Sequence, residues 1–203
     1  MRTLYLCYLS VFAALTRSQV IPYLALLARR GVEAHLLTFE QNDGRNSSMI
    51  ASEAAKLDAH GIRLHTLAYH KRPSLPATAY DVLRGVLYGS RLVRAHGIQL
   101  VHARGHVPAA IALPLKMLTR VRMVFDIRGL WAEEYVDAGT WRPGGVNFHL
   151  TKWIERQAVR QADGIVTLTD VSQDPRGVRD DRAVVVQDGD PGLAAHAHDL
   201  AAV

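Results

Sequence analysis

The feature that most restricts the fold is an alternation of short apolar runs with longer stretches of helical spacing. Residues 3–9, Thr-Leu-Tyr-Leu-Cys-Tyr-Leu, are rich in aliphatic and aromatic side chains and short enough for a buried strand. Val20, Leu24, Leu27 and Ala28 then recur at helical spacing, and Arg29-Arg30-Gly31 supplies a stop. The pattern repeats, with strands expected at 32–39, 62–68, 98–102, 121–126 and 165–168. Helices are expected between them at 48–60, 80–96, 108–118 and 148–162. Thr16-x-x-Gln19 has capping-box spacing, Pro22 delays the first regular helix, and Pro73 and Pro76 read as loop punctuation. Strands separated by helices require right-handed crossovers, so the expected fold is a doubly wound, mostly parallel, Rossmann-like α/β sheet covered on both faces.

At 203 residues the chain exceeds one typical domain and falls short of two α/β domains. The expected division is a folded unit over 1–169 and a polar tail over 170–203, with one short strand at 182–187. The tail has no aromatic residue and carries seven Asp against three Arg, so the formal total of +5 leaves +9 on residues 1–169. A basic body suits phosphorylated substrates or an anionic lipid surface. The helix at 80–96, with Arg84, Arg91 and Arg94, could lie on such a surface or pack on the sheet with its arginines in water. No aromatic clusters accompany the basic residues, which argues against nucleic acid. The single cysteine, Cys7, excludes an intrachain disulfide and fits a reducing, cytoplasmic setting. The apolar run from Leu4 to Leu15 reads as strand then helix; it lacks an A-x-A cleavage pattern, and no stretch is long enough to span a membrane.

Open parallel sheets bind ligands beyond the carboxyl ends of their strands, where helix N-termini also point. The candidate site is therefore gathered from strand ends: Ser10 and Arg17 after the first, His102, Arg104 and His106 after the fourth, Asp126 and Arg128 after the fifth, Thr169 after the sixth. The first turn contains no glycine, which argues against both the G-x-G-x-x-G dinucleotide motif and the phosphate-loop motif. His102 and His106 are four apart, but no partner Glu or Cys accompanies them and Gly105 interrupts a helix, so no metal is expected. Arg104 and Arg128 can hold phosphate or carboxylate through a planar fork, and Asp126 can hold a sugar hydroxyl.

Four segments together resemble the N-terminal, acceptor-side domain of family 4 glycosyltransferases of the GT-B fold. They are LTRSQVIPYLALLARRG (15–31), VHARGHVPA (101–109), FDIRGLWAEE (125–134) with the following GTWRPGG, and KWIERQAVRQADGIVTLT (152–169). The resemblance implies a retaining, metal-independent transferase of about twice this length, active in glycan biosynthesis at the cytoplasmic face of a membrane. Its two Rossmann-like halves would enclose a cleft. The acceptor, a saccharide or lipid-linked saccharide, would meet the N-terminal wall, lined here by the turn at Ser10, by Arg17, Arg104, His106, Asp126, Arg128, Glu133 and Thr169. The nucleotide-sugar donor would bind a second half with a Glu-x7-Glu motif, which has no counterpart within residues 1–203. The chain is expected to be inactive alone, a truncation or the partner of a separate donor-binding chain, and to need no cofactor of its own. A non-catalytic docking subunit is the alternative.

Overall fold

The computed structural model describes residues 1–41, 47–129, 131–167 and 183–185. Seven strands, β1 (Arg2–Cys7), β2 (Glu33–Gln41), β3 (Ile62–Tyr69), β4 (Leu100–Arg104), β5 (Arg122–Ile127), β6 (Gly164–Thr167) and β7 (Ala183–Val185), form one parallel sheet in the order β3-β2-β1-β4-β5-β6-β7. The order reverses between β1 and β4. This is the doubly wound architecture that the alternation demands, and in such sheets ligands bind at the strand carboxyl ends where the order reverses.

Among the described residues six α-helices cover the sheet: α1 (Ile21–Arg29), α2 (Ser47–Asp58), α3 (Ser74–His96), α4 (His106–Thr119), α5 (Trp131–Asp137) and α6 (Val146–Gln161). Because strand side chains alternate between faces, β1 divides its apolar residues cleanly. Tyr5 and Cys7 join Ala34 and Leu36 against Leu24 and Leu27 of α1 and Leu57 of α2. Leu4 and Leu6 join Leu37, Val101, Met123 and Phe125 against α3, α4 and α6. No helix among the described residues is long and apolar enough to cross a membrane.

Two local expectations are corrected. Thr16–Val20 is a π-helical turn running straight into α1, with no side-chain cap. Thr16 is buried with its hydroxyl 3.7 Å from Cys7 Sγ, and the Gln19 side chain accepts from Arg104, so neither can close a capping box. Helix α3 begins at Ser74, earlier than the loop-like Pro73 and Pro76 suggest. Pro73 is its N-cap and Pro76 lies in the first turn, where a missing N–H removes no helical bond.

Helices α3 and α4 approach closely because Gly85 and Gly89 face Ile111 and Leu115. A Cβ on Gly85 would come within 2.6 Å of Ile111 Cδ1, so the isoleucine must shift. Gly85→Ala should therefore cost about 1 kcal/mol net, the overpacking being partly offset by alanine's better helix propensity. A lowered urea midpoint would check it.

Candidate functional site

The register β1–β4–β5 places Cys7, Arg104 and Asp126 side by side, with Tyr5 and His102 paired two residues earlier. All five side chains leave the sheet on the α1 face. Asp126 is 1% exposed and receives the Tyr5 hydroxyl at 3.3 Å, while His102 Nε2 stands 3.6 Å and Arg104 NH1 3.7 Å from the same oxygen. From the loop after β5, Arg128 Nε reaches both carboxylate oxygens, at 2.8 and 3.0 Å. Tyr5 stacks on His102 at 4.3 Å, and Tyr23 of α1 closes the aromatic side of the cluster.

Burial alone would raise the Asp126 carboxyl, but His102, Arg128 and Arg104 outweigh it and hold the group below the usual carboxylate range. Burial would likewise depress Arg104, yet Tyr5 and Asp126 keep its guanidinium above its ordinary value. Burial, reinforced by the Asp126 charge, drives Tyr5 and Tyr23 well above the normal phenol. One carboxylate thus sits between two permanent cations, leaving the centre net positive at neutral pH. Such a centre holds polar oxygens in place, and its phenols stay protonated as donors.

His102, Arg104, Asp126 and Arg128 are brought together; Ser10, Arg17, His106 and Glu133 are distributed elsewhere. Ser10 folds back so that its Oγ donates to Glu40 at the end of β2, while the Val11 N–H donates to the same carboxylate at 2.8 Å. Arg17 is largely exposed and lies 3.7 Å from Glu53 of α2. His106 is 4% exposed and belongs to a second network on the opposite face, where Nε2 contacts Glu155 of α6 at 3.1 Å. Lys152 then links Glu155 at 2.7 Å to Glu133 of α5 at 2.9 Å. Burial raises the Glu155 carboxyl, but His106 and Lys152 bring it below its ordinary value. This network fastens α5 and α6 to α4. Thr169 lies outside the described residues.

Sequence reasoning missed Tyr5, Gln19, Tyr23 and Glu40 as parts of the site. The polar residues of VHAR, set in an otherwise apolar strand, carry a signal for His102. No local signal marks Tyr5, whose role depends on strands 97 residues apart pairing in register. Among the described residues no group of three His, Cys, Asp or Glu could hold a metal ion.

The sequence model of one family, the Glycosyl transferase 4-like domain, matches residues 20–189. No curated protein matches the chain. Among solved structures, LpCGTa in complex with UDP is similar at 12% identity and a TM-score of 0.59, covering 98% of this chain and 56% of its own. A glycosyltransferase from Rickettsia africae ESF-5 is similar at 13% identity and 0.58, covering 92% and 42%. A putative UDP-N-acetylglucosamine 2-epimerase from Listeria monocytogenes is similar at 12% identity and 0.56, covering 83% and 39%. The chain thus spans from 39% to 56% of the length of these solved chains. At such identities the likeness shows a shared fold.

Proposed function

The chain belongs to the glycosyl transferase 4-like family, and on that premise we propose that residues 1–169 are the acceptor-side half of a retaining, metal-independent glycosyltransferase. The observation that carries this reading is the convergence of Tyr5, His102, Arg104, Asp126 and Arg128 at the β1–β4 reversal, where open α/β sheets take their ligands. Among the described residues, two buried nitrogens there, His102 Nε2 and Arg104 NH1, make no hydrogen bond and stand 3.6 and 3.7 Å from the Asp126 carboxylate. A saccharide hydroxyl or a lipid-linked phosphate oxygen reaching the cluster would give them a direct hydrogen bond in addition to the Asp126 charge. Glu133 and His106 would support this wall indirectly, by holding α5 and α6. Ser10 and Arg17 remain its proposed outer margin.

The donor half, which would bind the nucleotide sugar, lies outside these 203 residues in this reading. Stabilisation of the departing diphosphate supplies a large share of such catalysis. The purified 203-residue protein should therefore show no transfer from UDP-, GDP- or ADP-sugars to saccharide or polyprenyl-phosphate acceptors, and a separately produced donor half should restore it. Turnover by the 203-residue protein alone would contradict the division of labour.

A docking role has its own support. Leu83 and Leu87, 56% and 54% exposed, continue along one face of α3 into exposed Arg91 and Arg94. An apolar patch extended by cations suits peripheral attachment to the anionic inner face of a membrane, in keeping with a cytoplasmic enzyme acting on lipid-linked acceptors. Co-sedimentation with phosphatidylglycerol vesicles is expected to weaken at least tenfold between about 50 and 300 mM salt as the charges are screened. Equal binding to neutral vesicles would remove this reading.

A further inference from the structure

A second polar group occupies the same sheet edge three strands away, on the α3 face, and the cluster around Asp126 does not use it. His70 directly follows β3, and its ring is locked. Its Nδ1–H donates to Asp81 Oδ1 at 2.6 Å, and its main-chain N–H donates to Oδ2 at 3.0 Å. The Tyr8 hydroxyl, just beyond β1, donates to that same Oδ2 at 2.8 Å. Asp81 is fully buried in α3, whereas the His70 side chain is 40% exposed. An ionised carboxylate can only accept, so it fixes a proton on Nδ1, and in the neutral ring Nε2 is the lone-pair acceptor. Nε2 has no partner among the described residues.

Beside it stands an aromatic plate. The Tyr80 ring, 52% exposed, meets the His70 ring edge-on at 5.1 Å, and Arg84 lies 5.8 Å from its centroid. Burying a carboxylate is costly unless donors surround it. The His70 main-chain N–H and the Tyr8 hydroxyl would suffice to tie the loop to α3. The third bond, to a half-exposed imidazole, adds little to the tie and instead orients the ring.

We propose that His70 and Tyr80 form a saccharide-binding subsite, in which the Tyr80 ring packs against a pyranose face and His70 Nε2 accepts one of its hydroxyl groups. Asp81 is the positioning residue. The proposal rests on the acceptor-side reading above and extends it. At about 4.8 Å per strand, β3 and β4 stand roughly 14 Å apart along the edge, so the subsite suits an acceptor longer than one ring.

The test is NMR titration of the 203-residue protein with methyl glycosides of glucose, mannose and N-acetylglucosamine and with maltose. Long-range nitrogen–proton spectra should show His70 protonated at Nδ1 and bare at Nε2. At least one saccharide should shift the His70 and Tyr80 ring signals saturably. His70→Asn keeps an N–H for Asp81 and lacks the Nε2 acceptor, so it should leave the urea midpoint nearly unchanged and weaken binding at least tenfold. Tyr80→Ala should weaken it similarly. Unaltered binding by a stably folded His70→Asn protein, or a proton found on Nε2, overturns the subsite. Shifts confined to Arg104, Asp126 and Arg128 overturn it while leaving the acceptor-side reading intact, and no saturable shift anywhere counts against both.

Discussion

Asp126→Asn is expected to lower the unfolding free energy by about 3–5 kcal/mol at pH 7, read as a fall in the urea midpoint. The size follows from burial. Asp126 is 1% exposed, and the Arg104 side chain beside it is 8% exposed. An asparagine preserves the shape but leaves Arg104 and Arg128 facing each other across a desolvated gap with no anion between them. Neutralising an exposed ion pair such as Arg2–Glu33 should cost far less, because water already screens both partners. The pH dependence has a definite sign. Asp126 titrates lower in the folded chain than in the unfolded chain, where an aspartate titrates near ~3.9, so its contribution is complete above that value. It is lost as acid protonates the folded carboxylate. The gap between the two proteins should narrow below about pH 4. A difference under about 1 kcal/mol at neutral pH would mean the cluster is held by packing alone.

The elements were legible in the sequence because period is local. A run such as Leu-Tyr-Leu-Cys or Val-His-Ala-Arg announces a strand whatever lies elsewhere, and right-handed crossovers then leave little choice of architecture. The site was less legible because it is made by register. Asp126 and Arg128, two apart at the end of β5, share a face as alternation predicts. Arg104 and His106 are also two apart, yet they serve opposite faces of the sheet. Gly105 lies between them at φ +81°, which breaks the alternation and turns the chain into α4. The carboxylate that secures the first turn, Glu40, comes from the end of a different strand, and nothing near Ser10 in sequence points to it. The His70–Asp81 pair was hidden for a simpler reason. Pro73 and Pro76 suggested an open loop, and α3 in fact begins at Ser74, carrying Asp81 beneath His70.

Acidification between pH 6.5 and 4 should weaken the folded chain before the Asp126 cluster is touched, and His65 is the group expected to report it. Its ring lies between β2 and α3 in a directional chain of hydrogen bonds. The Tyr88 hydroxyl can donate to His65 Nδ1 at 3.4 Å, His65 Nε2–H to His35 Nδ1 at 3.0 Å, and His35 Nε2–H to Glu33 at 3.3 Å. Every link is satisfied with both rings neutral, and the two rings cannot both take up a second proton, because a proton on His35 Nδ1 would then confront the His65 Nε2–H. Burial, followed by the neighbouring His35, His96 and Arg63, pushes His65 down to about 4, and burial lowers His35 as well despite the opposing pull of Glu33. An unfolded histidine takes up its proton near ~6.5, so across this window the unfolded state binds more protons and stability must rise with pH. The full interval is worth about 3 kcal/mol, which solvent at the partly exposed His65 ring should reduce to about 2 kcal/mol. Urea midpoints measured from pH 7 to 4.5 should therefore fall steadily in the native chain. His65→Gln, which cannot titrate, should start lower and fall less. Parallel curves for the two proteins would show that the histidine chain does not set the acid sensitivity of the fold.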